Sequence, residues 1–207
     1  MIKEACVETL EEAISAEKLG ADRVELCTDL GNDGLTPSPE LMQKTCAEIQ
    51  IPVMVMIRPR AGNFCYSEQE IQQMQRDIDA AKNAGAAGVV FGLLTPEKKI
   101  DEKNTRLLAE YAHPLPITFH KAIDESKYPV DEIKVLKKIH GIKRILTSGG
   151  KPTAYEGVKM VKKMIAITKG IQIILVAGKV TNQNLEEIEQ LTGATEFHGR
   201  NIVGKLE

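Results

Sequence analysis

The sequence predicts an α/β protein with the architecture of a (β/α)8 TIM-type barrel, in which the final helix is short or missing. Eight short runs of apolar and β-branched residues alternate with amphipathic stretches from one end of the chain to the other. This alternation favours parallel strands, because each helix carries the chain back across the sheet. An open doubly wound sheet is the alternative, but the first strand leads into Cys6-Val7-Glu8-Thr9, which is not a glycine-rich dinucleotide fingerprint.

The individual elements follow from local signals along the chain. Thr9 with Glu12 and Ser67 with Glu70 have the spacing of helix capping boxes, and Ser38 precedes a proline in the first turn of another helix. The predicted strands are residues 2–6, 22–27, 52–58, 87–92, 115–120, 143–148, 171–177 and 195–198. The predicted helices are residues 8–19, 39–48, 68–84, 102–112, 130–139, 153–168 and 182–191.

Residues 1–207 are predicted to form a single barrel domain, because no linker or change of composition divides the chain. Only residues 199–207 follow the eighth predicted strand, and they are too few for a full closing helix. Such a barrel would expose apolar surface beside its first and last strands. We therefore expect a homo-oligomer, a dimer or larger, in which a neighbouring subunit covers that surface.

The composition argues against several classes of protein. The chain has 27 Lys and Arg residues against 29 Asp and Glu residues and no basic block, which argues against a dedicated nucleic-acid binder. No apolar run is long enough to cross a bilayer, and the first residues lack the pattern of a signal peptide. Four cysteines without a CxxC pair predict free thiols. We expect a cytoplasmic protein whose partner is neither a nucleic acid nor a membrane.

Polar residues recur on one face of the predicted strands. On the second strand, Arg23, Glu25 and Cys27 lie opposite Val24 and Leu26, and the apolar set must pack against the helices. The same alternation turns further residues toward the inside of the barrel: Glu4, Cys6, Arg58, Thr118, His120, Arg144, Ser148, Glu196 and His198. The charges among them fit either a structural network of ion pairs or an active site at the carboxyl ends of the strands.

Four of these strand-end and loop residues form a candidate catalytic set. Arg58 suits recognition of a carboxylate or phosphate, although a rim salt bridge is an equal alternative. His120 is a candidate general base with Asp124 as its orienting partner, and Glu25 is a second acid–base group. A structural histidine is the competing interpretation. Candidate anion ligands are Arg58, Arg60, Ser148, Gly149 and Gly178.

Cys6 and Cys27 end two strands that should be neighbours in the barrel, and each follows a glutamate by two residues. Two inward thiols on adjacent strands are a candidate metal site, because thiolates favour a soft cation such as Cu(I). The alternative is that both cysteines act as small buried apolar residues.

Several motifs extend this interpretation. They are Glu4-Ala5-Cys6, Gly20-Ala21-Asp22-Arg23-Val24-Glu25-Leu26-Cys27, Val55-Met56-Ile57-Arg58-Pro59-Arg60, Thr118-Phe119-His120-Lys121-Ala122-Ile123-Asp124 and Arg144-Ile145-Leu146-Thr147-Ser148-Gly149-Gly150. In this order they resemble the CutC copper homeostasis family. The resemblance implies a barrel, a cytoplasmic location, self-association and copper at Cys6 and Cys27. The chain departs from the family pattern at Ala177-Gly178-Lys179, where a run of three glycines is usual.

Two functions remain open at this point, and with them the question of whether the protein is an enzyme. The first is a cytoplasmic copper homeostasis protein that binds Cu(I) through the two strand-end cysteines. The second is a lyase, isomerase or hydrolase that acts on a small metabolite bearing phosphate or carboxylate at the barrel mouth. A regulatory scaffold is a third alternative.

Overall fold

A computed structural model describes residues 1–206 and confirms the closed barrel of eight parallel strands. Neighbouring strands follow the order of the chain, and the last strand pairs with the first. The strands are Ile2–Val7 (β1), Arg23–Leu26 (β2), Val53–Met56 (β3), Gly88–Phe91 (β4), Ile117–Phe119 (β5), Ile142–Thr147 (β6), Ile173–Val176 (β7) and Glu196–Gly199 (β8).

Seven α-helices surround the strands: Leu10–Lys18 (α1), Pro39–Glu48 (α2), Glu68–Asn83 (α3), Glu102–Ala112 (α4), Pro129–Leu136 (α5), Ala154–Thr168 (α6) and Leu185–Thr192 (α7). Two short 3-10 helices that the sequence did not signal, Leu30–Asn32 and Lys121–Glu125, follow β2 and β5. Both lie at the carboxyl ends of strands, where barrel active sites form. They therefore shape the mouth of the barrel.

The helix starts behave largely as their sequences predict. Ser67 and Glu70 form a complete capping box on α3, and Ser38 caps α2 with a proline in its first turn. Thr9 caps α1 by accepting a hydrogen bond from the Glu12 amide. The Glu12 carboxylate instead accepts from the amide of Glu8, so the second half of the predicted box is not formed at Thr9. Each cap satisfies an amide that the helix itself cannot.

The register of the first strands places the inward residues in layers. Glu4 lies opposite Arg23 and Cys6 lies opposite Glu25 across the β1–β2 pair. On the other side of β1, Glu4 lies opposite His198 of β8. Because side chains alternate along a strand, Glu4 and Arg23 lie in a polar layer toward the amino ends of the strands. Cys6 and Glu25 lie in a second polar layer at the mouth.

The main apolar core lies between the outside of the barrel and the helices. Outward residues of the strands, including Val24, Leu26, Val55 and Phe197, are completely buried there. A second, smaller cluster inside the barrel contains Cys6, Cys27, Met54, Met56 and Val90. Burying each large side chain of this kind contributes about 1.5–3 kcal/mol, so the outer core holds the strand positions that the inner residues depend on.

Within residues 1–206, no α-helix follows β8, as the sequence predicts. The apolar gap expected beside β1 and β8 does not form, however, because Ala5 and Phe197 are completely buried. Ile202 is also buried, and Val203 and Leu206 pack against the core where a closing helix would lie. The apolar surface at Ala5 and Phe197 is therefore covered within the chain itself. No helix in the described range has both the length and the apolar character that crossing a membrane requires.

Candidate functional site

The inner layer toward the amino ends of the strands is a network of buried ion pairs. Arg23 donates to the carboxylate of Glu4 and, at 2.7 Å, to Oε2 of Glu196. Arg144 donates to the same Oε2 atom, also at 2.7 Å. Burial alone would raise the pKa of Glu4, but a hydrogen bond from His198 and the charge of Arg23 lower that pKa to about 2. These four charged side chains therefore neutralise one another, which confirms the structural alternative for this layer.

His198 connects the ion-pair layer to the mouth. Its Nδ1 lies 2.9 Å from Oε1 of Glu4, and its Nε2 lies 3.7 Å from Oε2 of Glu25. Burial opposes protonation of the ring, but the charge of Glu25 and the hydrogen bond to Glu4 outweigh it and raise the pKa of His198. The strand alternation predicted that His198 points into the barrel, but His198 was not among the candidate catalytic residues, anion ligands or metal ligands. Its position two residues after inward-facing Glu196 on the closing strand was the available signal.

The two strand-end cysteines lie together, as their places on adjacent strands predict. Cys6 Sγ and Cys27 Sγ are 3.6 Å apart, and both residues are buried. Cys6 Sγ also donates to Oε2 of Glu25 at 3.4 Å. The hydrogen bond with Cys27, burial and the charge of Glu25 together raise the pKa of Cys6, so its thiol is protonated at neutral pH. Two thiols and a carboxylate converge here in a donor set that fits a metal ion.

A cavity of about 340 Å³ opens above this cluster at the carboxyl ends of the strands. Its lining includes Cys6, Glu25, Met56, Arg58, His120 and His198. Three of these residues carry a buried polar atom without a hydrogen-bond partner: Oε1 of Glu25, Nε of Arg58 and Nε2 of His120. Buried polar atoms are normally paired, and an orphaned group costs about 1–3 kcal/mol. These three atoms therefore lack hydrogen bonds in the protein, and a polar ligand in the cavity would supply them.

Arg58 differs from the anion clamp that its sequence context predicts. Its terminal nitrogen Nη1 donates to the carbonyls of Asn32 and Gly34, at 2.7 and 3.0 Å, and Nη2 donates to the carbonyl of Gly62 at 3.2 Å. The guanidinium also lies 5.1 Å from the centre of the Phe64 ring. Backbone carbonyls therefore occupy the fork that a bidentate anion would need, and Nε remains as the free donor.

His120 faces the cavity as a neutral donor. Its Nδ1 accepts a hydrogen bond from the amide of Ala122 at 3.2 Å, which places the ring proton on Nε2. Burial, assisted by the charge of Arg58, lowers the pKa of His120 to about 3. A Cβ atom at Gly92 would lie 2.5 Å from Nδ1, so glycine there makes room for the ring. The nitrogen that faces the cavity therefore carries a proton and donates, whereas a general base would need it unprotonated.

Asp124 does not orient His120, and no hydrogen bond joins the two within the described residues. Its carboxylate accepts from the hydroxyl of Thr147, from the amide and hydroxyl of Ser148 at 2.9 and 3.0 Å, and from the amide of Gly150 at 2.8 Å. The predicted orienting contact was wrong because the 3-10 helix carries Asp124 toward the loop after β6.

The same contacts change the interpretation of two predicted anion ligands. Asp124 already occupies the Ser148 amide, and the Gly149 amide donates to the Thr147 hydroxyl at 2.8 Å. This loop therefore binds an internal carboxylate instead of a ligand. Gly178 lies elsewhere, on the wall of a second cavity of about 500 Å³.

Arg60, the remaining predicted anion ligand, lies away from both cavities. Its Nε donates to Glu70 at 2.5 Å, and its terminal nitrogens donate to the carbonyls of Asn63 and Cys65 at 2.8 and 2.6 Å. The side chain therefore holds the loop before α3 in place. The rim ion pair that was the alternative for the arginines is formed here.

Comparisons with known proteins agree with these motifs. The model of the CutC family matches residues 1–203. A human protein described as a copper homeostasis protein cutC homolog is 44% identical over 197 residues, which is 95% of this chain and 72% of that protein. A CutC family protein of Glaesserella parasuis is 40% identical over 94% of this chain and 80% of its own length. The crystal structure of CutC from Streptococcus agalactiae has a TM-score of 0.92 and 33% identity, over 98% of this chain and 99% of that one.

Proposed function

The chain belongs to the CutC family, and from that premise we propose that it is a cytoplasmic copper homeostasis protein that binds Cu(I) through Cys6 and Cys27. One observation supports the metal site most directly, namely the separation of 3.6 Å between the two sulfur atoms. Metal–sulfur bonds of about 2.3 Å allow two thiolates to bind one ion at any separation up to about 4.6 Å. The thiols can therefore act together without moving their strands.

The surroundings of the two thiols suit a soft, monovalent ion. Met54 and Met56 belong to the same buried cluster as both cysteines, and Met56 also lines the cavity. Thiolate and thioether sulfur atoms favour Cu(I) over hard cations. The ligands are thiolates, so Cys6 and Cys27 release protons as they bind, and Glu25 beside Cys6 is placed to accept one.

The test is a competition for Cu(I) between the protein and a chromophoric chelator under anaerobic conditions. We expect the Cys6→Ser/Cys27→Ser variant to lose more than about 100-fold in affinity, more than the removal of an outer-shell partner costs. The matched control is Cys46→Ser/Cys65→Ser, which changes two half-buried thiols outside the cavity and keeps full affinity. Equal affinities in the two double variants would refute the proposed site.

A second candidate function is a lyase, isomerase or hydrolase that acts on a small phosphate- or carboxylate-bearing metabolite. The observation that favours it is the group of three unpartnered buried atoms on the cavity wall. In this proposal His120 and Arg58 donate hydrogen bonds to a substrate oxygen, and Glu25 moves a proton. Burial raises the pKa of Glu25 despite the opposing charge of His198, which makes its carboxyl group a stronger base than an exposed one.

Thermal denaturation in the presence of a panel of phosphorylated and carboxylated metabolites tests this second function. A ligand at 100 times its Kd adds about 2.7 kcal/mol to the free energy of unfolding and so raises Tm. The His120→Asn variant keeps an acceptor for the Ala122 amide but changes the donor at the cavity, so it should lose the shift. A panel that shifts neither protein would exclude this function.

We also propose that copper or a small anion is the partner, and that the chain self-associates without binding nucleic acid or membranes. The formal net charge of −2 supports the exclusion of nucleic acid. Light scattering at micromolar concentration tests self-association, and a monomer would contradict it.

A further inference from the structure

The second cavity opens between the loop that follows β7 and the segment that follows β8. It shares Cys6, Leu30, Lys121 and His198 with the first cavity, so the two are continuous. The rest of its wall contains none of the three residues with unpartnered side-chain atoms described above. This second cavity, called the chamber below, therefore adjoins the first cavity but differs from it in chemistry.

The loop after β7 presents unpaired backbone amides. Gly178 and Lys179 both have left-handed backbones, with φ of 101° and 58°. Within residues 1–206, the amides of Gly178, Lys179 and Val180 donate to no acceptor. Successive amides in a turn of this kind form a concave site for an anion.

Two glycines fix this loop in place. A Cβ atom at Gly199 would lie 2.2 Å from the carbonyl oxygen of Val180, so the loop can pack directly on β8. A Cβ atom at Gly178 would lie 2.8 Å from Cβ of Ser148 and 2.9 Å from the amide of Ala154. The loop is thus held between β8 and the start of α6, and its amides are fixed before any ligand arrives.

The charged side chains that line this chamber are cations. The ammonium groups of Lys121 and Lys179 make no ion pair or hydrogen bond within the described residues. Arg200, the third cation of the wall, is already paired with Glu8 at 3.1 Å and Glu12 at 2.6 Å. No carboxylate among the described residues lines the chamber.

We propose that this chamber binds the phosphoryl group of a small phosphate monoester through the amides of residues 178–180 and the ammonium groups of Lys121 and Lys179. A phosphoryl group offers three charged or polar oxygens, which matches several donors arranged around one point. Thr181 and Asn201 also line this wall, and both carry side chains that can donate hydrogen bonds. None of these donors is a proposed copper ligand. The organic part of the ester would extend past the residues that line both cavities and reach His120 in the first cavity. This part of the proposal rests on the second candidate function.

Calorimetric titration with inorganic phosphate in a low-salt, phosphate-free buffer tests the site. We expect Lys121→Ala and Lys179→Ala each to weaken phosphate binding about threefold, and the double variant about tenfold, as two partly exposed charge contacts should. Lys103→Ala is the matched control, because this exposed lysine of α4 lines neither cavity. His120→Asn is expected to keep the affinity for inorganic phosphate, because His120 lines the first cavity and not the chamber.

Two results would overturn the site. Equal phosphate affinity in the double lysine variant and the wild type would mean an adventitious ion only. A loss in His120→Asn without a loss in Lys179→Ala would place the anion in the first cavity.

Glycerol 3-phosphate separates the two proposals. We expect it to bind at least as tightly as inorganic phosphate and to lose affinity in His120→Asn. If His120→Asn binds the ester normally, the second candidate function fails while the phosphoryl site stands.

Discussion

The two polar layers inside the barrel differ in how completely their groups are paired. Toward the amino ends, Arg23 bridges Glu4 and Glu196 in a closed set of ion pairs. At the mouth, Glu25 and His120 each keep a buried polar atom without a partner. The difference has two consequences: opening the paired layer leaves charges buried without partners, whereas the mouth already has buried polar atoms that are free to bind a ligand.

The largest expected effect comes from opening the saturated layer. Arg23→Met leaves Glu4 and Glu196 buried without their shared cation and should lower the free energy of unfolding by about 3–5 kcal/mol. Urea denaturation measures the loss. Arg106→Met, which breaks an exposed pair with Glu102 on α4, should cost about 0.5 kcal/mol. Similar losses in the two variants would remove the distinction between the layers.

The next effect concerns Asp124, a carboxylate at the mouth whose contacts are all made within the protein. Asp124→Asn replaces a carboxylate that accepts from Ser148 and Gly150 with an amide that presents donors to them. We expect a loss of about 2–3 kcal/mol, because hydrogen bonds to a charged acceptor are broken. Urea denaturation at pH 7.5 measures the loss. A cost no larger than that of Arg106→Met would contradict this prediction.

Acid titration sharpens the comparison at His120. In the unfolded chain the ring takes up a proton below pH 6.5, whereas the native ring stays neutral until about pH 3. The free energy of unfolding therefore decreases as the pH is lowered between these values. The loss from pH 6.5 to 4.5 is about 2 kcal/mol. His120→Asn should remove this loss, and His140→Asn, at an exposed position, should retain it. Denaturation at the two pH values measures the difference, and parallel curves for all three proteins would disprove it.

The smallest effect is expected at Glu25. Its carboxyl is buried, burial raises its pKa, and its Oε1 has no partner. The Glu25→Gln variant should therefore stay within about 1 kcal/mol of the wild type or become more stable near neutral pH. Denaturation at pH 7.5 tests this. A loss as large as that of Arg23→Met would place Glu25 in the structural layer.

The order of the strands and the contacts between neighbouring strands could be predicted from the periodicity of the sequence. Alternation along β1 and β2 is sufficient to bring Cys6 beside Cys27 and Glu4 beside Arg23, because parallel strands at the start of a barrel are neighbours. The alternating strand–helix pattern likewise predicted all eight strands in order. These features are set by repeating geometry, which a single sequence contains.

The hydrogen bonds at the barrel mouth could not be predicted in this way, because they depend on loop conformations that the periodicity of the sequence does not specify. Asp124 follows His120 by four residues, yet a 3-10 helix turns it toward Ser148. Arg58 lies two residues beyond the end of β3, although the prediction carried the strand to residue 58, and the carbonyl of Gly34 in a neighbouring loop occupies its fork. Tertiary contacts from other loops decided both cases, and no pattern local to either residue records them.

The close fit of Gly92 against the imidazole of His120 has a consequence for distant relatives. Because even a methyl group at this position would collide with the ring, the residue found there reports on a side chain far along the sequence. A homologue with alanine in its place would have to displace the imidazole, even if the histidine itself were retained. Inspecting one small residue on the fourth strand thus sorts related chains into those that preserve this donor and those that have lost it.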